Sequence, residues 1–147
     1  MRPRAFRFAW RGVLRTFREE ANFRVHLIVA EAILYLAFVE RASATSWAIL
    51  SLAVGLVVAL ELLNTAVERA VDLGTQGKHL PLAAAAKDAS AGAVLAGSLS
   101  AAAVGFALLW AHLGMLAQIF RVPVDYVGLA ALAVLVVLTL RPPLKKE

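Results

Sequence analysis

Four apolar runs recur along the chain: His26 to Val39, Trp47 to Leu63, Ala89 to about Leu113, and Val122 to Leu140. A helix needs about 20 apolar residues to cross the ~30 Å hydrocarbon core of a bilayer, and only helices and closed barrels satisfy their own backbone polar groups there. Runs of this length therefore call for helices with lipid as their solvent. The 147 residues make one domain by length, yet 61% are hydrophobic and the mean hydropathy is +0.77, more than a soluble core of that size requires. The expected fold is an all-α integral membrane protein. It has an N-terminal amphipathic surface helix over 2–20, spans at about 24–41, 46–72 and 88–113, and a fourth C-terminal transmembrane helix. The first run is short, and it reaches across if Phe23, Arg24 and Val25 extend it at one end while Glu40 and Arg41 snorkel at the other. The chain has no cysteine, which excludes a disulfide framework, a thiol nucleophile and thiolate metal sites. No small-residue cleavage site follows a short apolar core, so no removable signal peptide is expected.

The net charge of +5 matters through its placement. In the N-terminal stretch Phe6, Ala9, Trp10, Val13, Leu14 and Phe17 fall on one helical face, and Arg4, Arg7, Arg11, Arg15 and Arg18 take the other. That pattern suits a helix lying in the headgroup plane of an anionic membrane. Nucleic acid, the rival partner of an arginine row, is not expected, because the helix runs straight into membrane segments. With the N-terminus in the cytoplasm, an even number of spans puts thirteen of the fifteen Lys and Arg inside and leaves only Arg41 and Arg121 outside. Trp47 and Trp110 then meet the outer interface, and both termini of the multi-pass chain are expected in the cytoplasm.

Between the second and third runs, Gly74, Gly77 and Pro81 read as breakers of a loop from Leu73 to Pro81, with helix returning over Leu82 to Asp88. In the third run Gly92, Ala96 and Ser100 recur every four residues, as do Gly97, Ala101 and Gly105. Two small-residue faces on one helix allow close approach of two neighbours, within a subunit and between subunits.

The chemistry concentrates where the second run ends. In Glu61-Leu-Leu-Asn-Thr-Ala-Val-Glu-Arg-Ala-Val-Asp72, residues Glu61, Asn64, Thr65, Glu68 and Asp72 fall within roughly a 100° arc at about 100° per residue. Carboxylates at membrane depth cost several kcal/mol in most accounts, so they face a bundle interior or a cavity and mark function. Glu20, at the end of the surface helix, and Lys87-Asp88, at the start of the third span, reach the same inner interface. Carboxylates without Cys or clustered His suit a hard cation, Mg²⁺, held together with substrate phosphates, and Glu20 and Glu68 are the candidates. Glu61 lies deeper, about 10 Å from Glu68 along the helix, where it can serve as base for a lipid hydroxyl. Lys87 can balance charge on a transferred phosphoryl group, and Asn64 can orient a carboxylate or hydroxyl. No soluble-kinase or nucleotide-loop motif and no Gly-x-Ser-x-Gly elbow is present. Periodicity alone leaves an enzyme site and a proton or cation pathway equally open, with interhelical polar glue as a third reading. Glu31 stands alone in the first span with no role assigned.

These residues resemble the prokaryotic diacylglycerol kinase family of small integral-membrane lipid kinases. The resemblance begins at Trp10-Arg-Gly12, continues through Glu20-Ala-Asn-Phe-Arg24, and is strongest over Glu61-Leu-Leu-Asn-Thr-Ala-Val-Glu68 with Val71-Asp-Leu73. It resumes at Ala86-Lys-Asp88 with Ala91-Gly-Ala-Val94, covering roughly Phe6 to Leu113. The Asn-Thr-Ala-Val-Glu wording and Pro81-Leu-Ala look more like the undecaprenol branch than the diacylglycerol branch. The resemblance implies a homotrimer of three-span subunits that transfers the ATP γ-phosphoryl group to a lipid alcohol, undecaprenol or, alternatively, diacylglycerol. It implies Glu61 as catalytic base, Glu20 and Glu68 as the Mg²⁺–ATP carboxylates, and Asn64, Asp72, Lys87 and Asp88 as further polar positions of the nucleotide site. Residues 1–120 would then be the kinase domain, and 121–147 an additional helix and basic tail. Two departures stand out. The loop from Leu73 to Leu80 looks about one residue longer than in the undecaprenol branch, which unsettles any nucleotide contact by Lys78 or His79, and the fourth span is extra to the usual three.

Overall fold

The structure, a computed structural model, describes residues 3–110 together with 133, 134, 136 and 137. Its main elements are four helices, α1 (Pro3–Glu19), α2 (Ala21–Val39), α3 (Ala44–Thr75) and α4 (Pro81–Trp110). The expected fourth span, 122–140, and the tail after it lie outside the described residues apart from those four helical positions. Among the described residues there is no strand, and three helices are long and apolar enough to cross a membrane. The protein is a helical integral membrane protein.

α1 opens on Pro3, a residue suited to a first helical turn because the N–H it lacks would go unpaired there anyway. Its apolar face divides. Val13, Leu14 and Phe17 are half-buried against the bundle, whereas Phe6 and Trp10 are exposed. The bend into α2 is confined to one residue, Glu20, whose backbone is extended (φ −107°, ψ 118°). Arg24 secures the bend. Its guanidinium, buried at the head of α2, donates to the carbonyls of Phe17 (3.1 Å) and Arg18 (3.2 Å) at the end of α1. Carbonyls at a helix C-terminus have no partner within the helix, and a cation near them is favoured.

α2 turns back through Arg41, in the left-handed region (φ 50°), and α3 is capped by Ser43, whose hydroxyl accepts from the Ser46 N–H at 3.1 Å. At 1.5 Å per residue α3 is about 48 Å long, well beyond the ~30 Å of hydrocarbon. Glu61 lies about 25 Å from its start and Asp72 about 42 Å. The expected breaks shift here. Gly74 stays helical, α3 ends only at Thr75, and the turn is made by Gln76 (φ 51°) and Gly77 (φ 77°). Pro81 begins α4 instead of interrupting the chain, so the third membrane helix starts seven residues before the expected position 88.

α3 is the central element, packed along α4 over most of its length and against α2 beyond it. Phe23, Ala37, Leu50, Val57 and Val94 form the small buried core. Of the two small-residue faces of α4, one is used inside the chain. Gly97 sits so close to Leu60 that a Cβ would overlap its Cδ1, and Gly105 faces Ile33 of α2. The other face, Gly92, Ala96 and Ser100, is exposed. Leu52, Leu63, Leu95 and Leu99 are each at least 60% exposed, an outer surface fit for lipid or for another copy and not for water.

Candidate active site

α2 and α4 both run antiparallel to α3, so the start of α2, the end of α3 and the start of α4 meet at the end of the bundle that carries α1. Within the polar stripe of α3, Glu61 and Thr65 are buried, with 4% and 3% of their surface exposed. Nε2 of His26 on α2 stands 3.0 Å from Oε1 of Glu61. The carboxylates of Glu20 and Glu68 both lie within electrostatic range of Glu61. Three acid groups from two separate stretches thus share one neighbourhood. Two further contacts hold its rim. Arg69 Nη2 donates to Glu19 Oε2 at 3.0 Å and to Glu20 Oε1 at 3.5 Å, and Asn64 Nδ2 donates to Glu68 Oε1 at 3.1 Å.

Asn64 is the hinge between two halves of the site. Its Oδ1 accepts a 2.6 Å hydrogen bond from the Ser90 hydroxyl, which ties the acid group on the α2 side of α3 to α4. Two turns beyond, Lys87 Nζ and Asp72 Oδ1 pair at 2.5 Å. Lys87 is therefore engaged by a carboxylate in this structure, and its pair lies about 12 Å along α3 from Asn64. Asp88 is exposed on α4 and takes no part in these contacts. Glu31 is half-exposed in the middle of α2, away from the site.

Two hollows adjoin these groups. An open cleft of about 380 Å³ lies between the end of α3 and the start of α4, bordered by Asp72, Thr75, Lys78, His79 and Lys87. An apolar cavity of about 500 Å³ lies among α2, α3 and α4, running from Val25 and His26 to Gly105 and Phe106. His26 belongs both to this cavity and to the acid group.

Sequence reasoning brought forward Glu20, Glu61, Asn64, Glu68, Asp72 and Lys87, and passed over His26, Arg69, Ser90 and Glu19. A lone histidine inside an apolar membrane run was a usable signal, since such a residue needs a polar partner. Arg69 and Ser90 carried no comparable mark.

Three membrane-length helices and the helix before them, with carboxylates gathered at one end of the bundle, define a small helical integral-membrane protein. The profile of the family described as prokaryotic diacylglycerol kinase matches residues 7–109. The chain belongs to that family and is a membrane lipid kinase. It is 50% identical over 91 residues to the undecaprenol kinase of Bacillus subtilis, a stretch covering 62% of this chain and 73% of that protein. It is 43% identical over 105 residues to the diacylglycerol kinase of Synechocystis sp., covering 71% of this chain and 60% of that protein. No solved structure matches the chain significantly. Family membership makes the chain an enzyme, the first of the readings that periodicity left open.

Proposed function

We propose that the chain transfers the γ-phosphoryl group of ATP to undecaprenol, forming undecaprenyl phosphate and ADP. The observation that carries this reading is the burial of Glu61 within range of Glu20 and Glu68, at the depth where a lipid hydroxyl would enter. Glu61 takes the hydroxyl proton, the lipid oxygen bonds to the γ-phosphorus, and the bond from that phosphorus to the ADP oxygen breaks. The remaining work is positioning and charge balance, as phosphoryl transfer generally requires. Asn64 keeps Glu68 in place, Arg69 keeps Glu20 in place, and Lys87, exchanging Asp72 for a phosphoryl oxygen, offsets charge on the nucleotide. Asp72 and Asp88 border the nucleotide's approach. The apolar cavity that His26 shares with the acid group is suited to a hydrocarbon chain.

The donor set fits Mg²⁺. Among the described residues no three acidic, His or Cys side chains form a metal cage, and Glu20 and Glu68, each within electrostatic range of Glu61, are hard oxygen donors. Mg²⁺ is commonly held by one or two carboxylates completed by substrate phosphates, and when bound it would neutralise charge on the β- and γ-oxygens. The higher identity to an undecaprenol kinase than to a diacylglycerol kinase supports the choice of lipid; diacylglycerol, giving phosphatidic acid by the same steps, is the alternative. In this reading residues 1–120 are the kinase domain and 121–147 an added helix and tail. The subunits form a homotrimer in which the exposed Gly92, Ala96 and Ser100 face meets a neighbour; the protein lies in a bacterial inner membrane, and the distribution of Lys and Arg supports both termini being in the cytoplasm.

The test is label transfer from γ-labelled ATP by purified protein in detergent, with undecaprenol and diacylglycerol in competition. Glu61→Gln should lower kcat by about 10²–10⁴-fold, the usual contribution of a general base. Full activity in that variant would remove Glu61 from the role.

A further inference from the structure

His26 is the one polar side chain between Val25 and Ala30, and the kinase mechanism above does not use it. A histidine in a membrane helix needs a partner, and a bundle could supply one in many ways. Here the partner is the buried carboxylate assigned as base. Three features of the contact go beyond simple satisfaction of a polar group.

The first is the atom it occupies. His26 reaches Oε1 of Glu61, which leaves the second oxygen of the same carboxylate for a hydroxyl. The second is its electrostatic setting. From α3 Glu68, and from the head of α2 Glu20, lie within electrostatic range of Glu61. The nearby guanidinium of Arg69 is turned to Glu19 and Glu20, so the contact made to Glu61 by a group able to carry positive charge is that of His26. The third is position. The His26 side chain, 25% exposed against 5% for Glu61, lines the apolar cavity at the end where a lipid hydroxyl would arrive.

We propose that His26 is a positioning residue for phosphoryl transfer. Its Nε2–H donates to Glu61 Oε1, stops rotation of the carboxylate with the other oxygen aimed at the lipid hydroxyl, and offsets the repulsion from Glu20 and Glu68. The inference rests on the reading of Glu61 as base. A side chain that sets the approach of reacting groups affects turnover more than ground-state binding, and small misplacements can cost about 10²-fold.

The experiment compares His26→Leu and His26→Gln in the full chain, with Glu61→Gln as control, measuring kcat, KM for MgATP, KM for the lipid alcohol and the melting temperature in detergent. His26→Leu should lower kcat by about ten- to a hundred-fold with both KM values within about twofold of the parent. His26→Gln retains an N–H donor of similar reach and should recover most of that loss. In a Glu61→Asp background, where the shortened carboxylate cannot meet the imidazole in the same way, His26→Leu should cost less than about twofold, since coupled residues are non-additive. A parental kcat in His26→Leu, a glutamine variant no better than leucine, or an equal loss in both backgrounds overturns the proposal. So does a loss of kcat that follows a fall in melting temperature. If Glu61→Gln is itself fully active, the reading of Glu61 as base fails; if it is inactive while His26→Leu is normal, only the positioning role fails.

Discussion

Gly97 is where α4 comes close to α3, and replacing it tests the register on which the site depends. A Cβ at this position would overlap Cδ1 of Leu60, while Cγ of the same side chain is 3.9 Å away. Leu60 must then leave its rotamer, or α4 must step back. Overpacking of this kind costs about 1–3 kcal/mol, and alanine in place of glycine in a helix interior returns about 1 kcal/mol, so Gly97→Ala should destabilise by about 1 kcal/mol. In a Leu60→Ala background the obstructing methyl groups are gone and only the helix preference is left. There the same substitution should be neutral or stabilising by up to about 1 kcal/mol, a coupling of about 1–2 kcal/mol between the two positions. Unfolding in mixed micelles with increasing SDS, followed by helical circular dichroism, measures all four proteins. Kinase activity supplies a second readout, because Ser90 is two turns nearer the site on the same helix and a retreating α4 draws it from Asn64. Activity should fall in Gly97→Ala and return in the double variant. If Gly97→Ala has the same effect with and without Leu60, the two helices do not cross there, and the register joining Asn64 to Ser90 loses its support.

Two other substitutions separate stability from turnover. Arg24→Met removes the donor to the Phe17 and Arg18 carbonyls from a buried position, which should cost about 1–3 kcal/mol and expose the α1–α2 junction to protease, measured by thermal unfolding and limited proteolysis. Lys87 and Asp72 have 35% and 64% of their side chains exposed, so breaking their pair should change stability by less than about 1 kcal/mol whichever partner is replaced. Turnover should divide them: Lys87→Met should lower kcat at least about tenfold and Asp72→Asn less, whereas equal effects would mark the pair as purely structural.

The membrane helices were legible because lipid leaves the backbone little choice: a long apolar run must close its own hydrogen bonds. The helical period likewise placed Glu61, Asn64, Thr65, Glu68 and Asp72 on one face before any packing was known. Boundaries were less legible. Gly74 and Pro81 break helices in their middles, but near an end Gly74 is carried along by the turns before it, and Pro81 fits a first turn. The surface helix read as one apolar face, yet only Val13, Leu14 and Phe17 found the bundle.

The partners of the stripe belong to the tertiary structure. His26 meets Glu61, Arg69 meets Glu19 and Glu20, and Ser90 meets Asn64 across separations of 26 to 50 residues. Local periodicity extends only a few turns along one helix, so it can say which face is polar but not which neighbour that face will meet. That is decided by the antiparallel register of α2 and α4 on α3, which the close approach of Leu60 and Gly97 helps to set. Periodicity was enough to put the acids on one helical face at the end of an apolar run. Packing decided which of them is buried, and that an imidazole stands 3.0 Å from it.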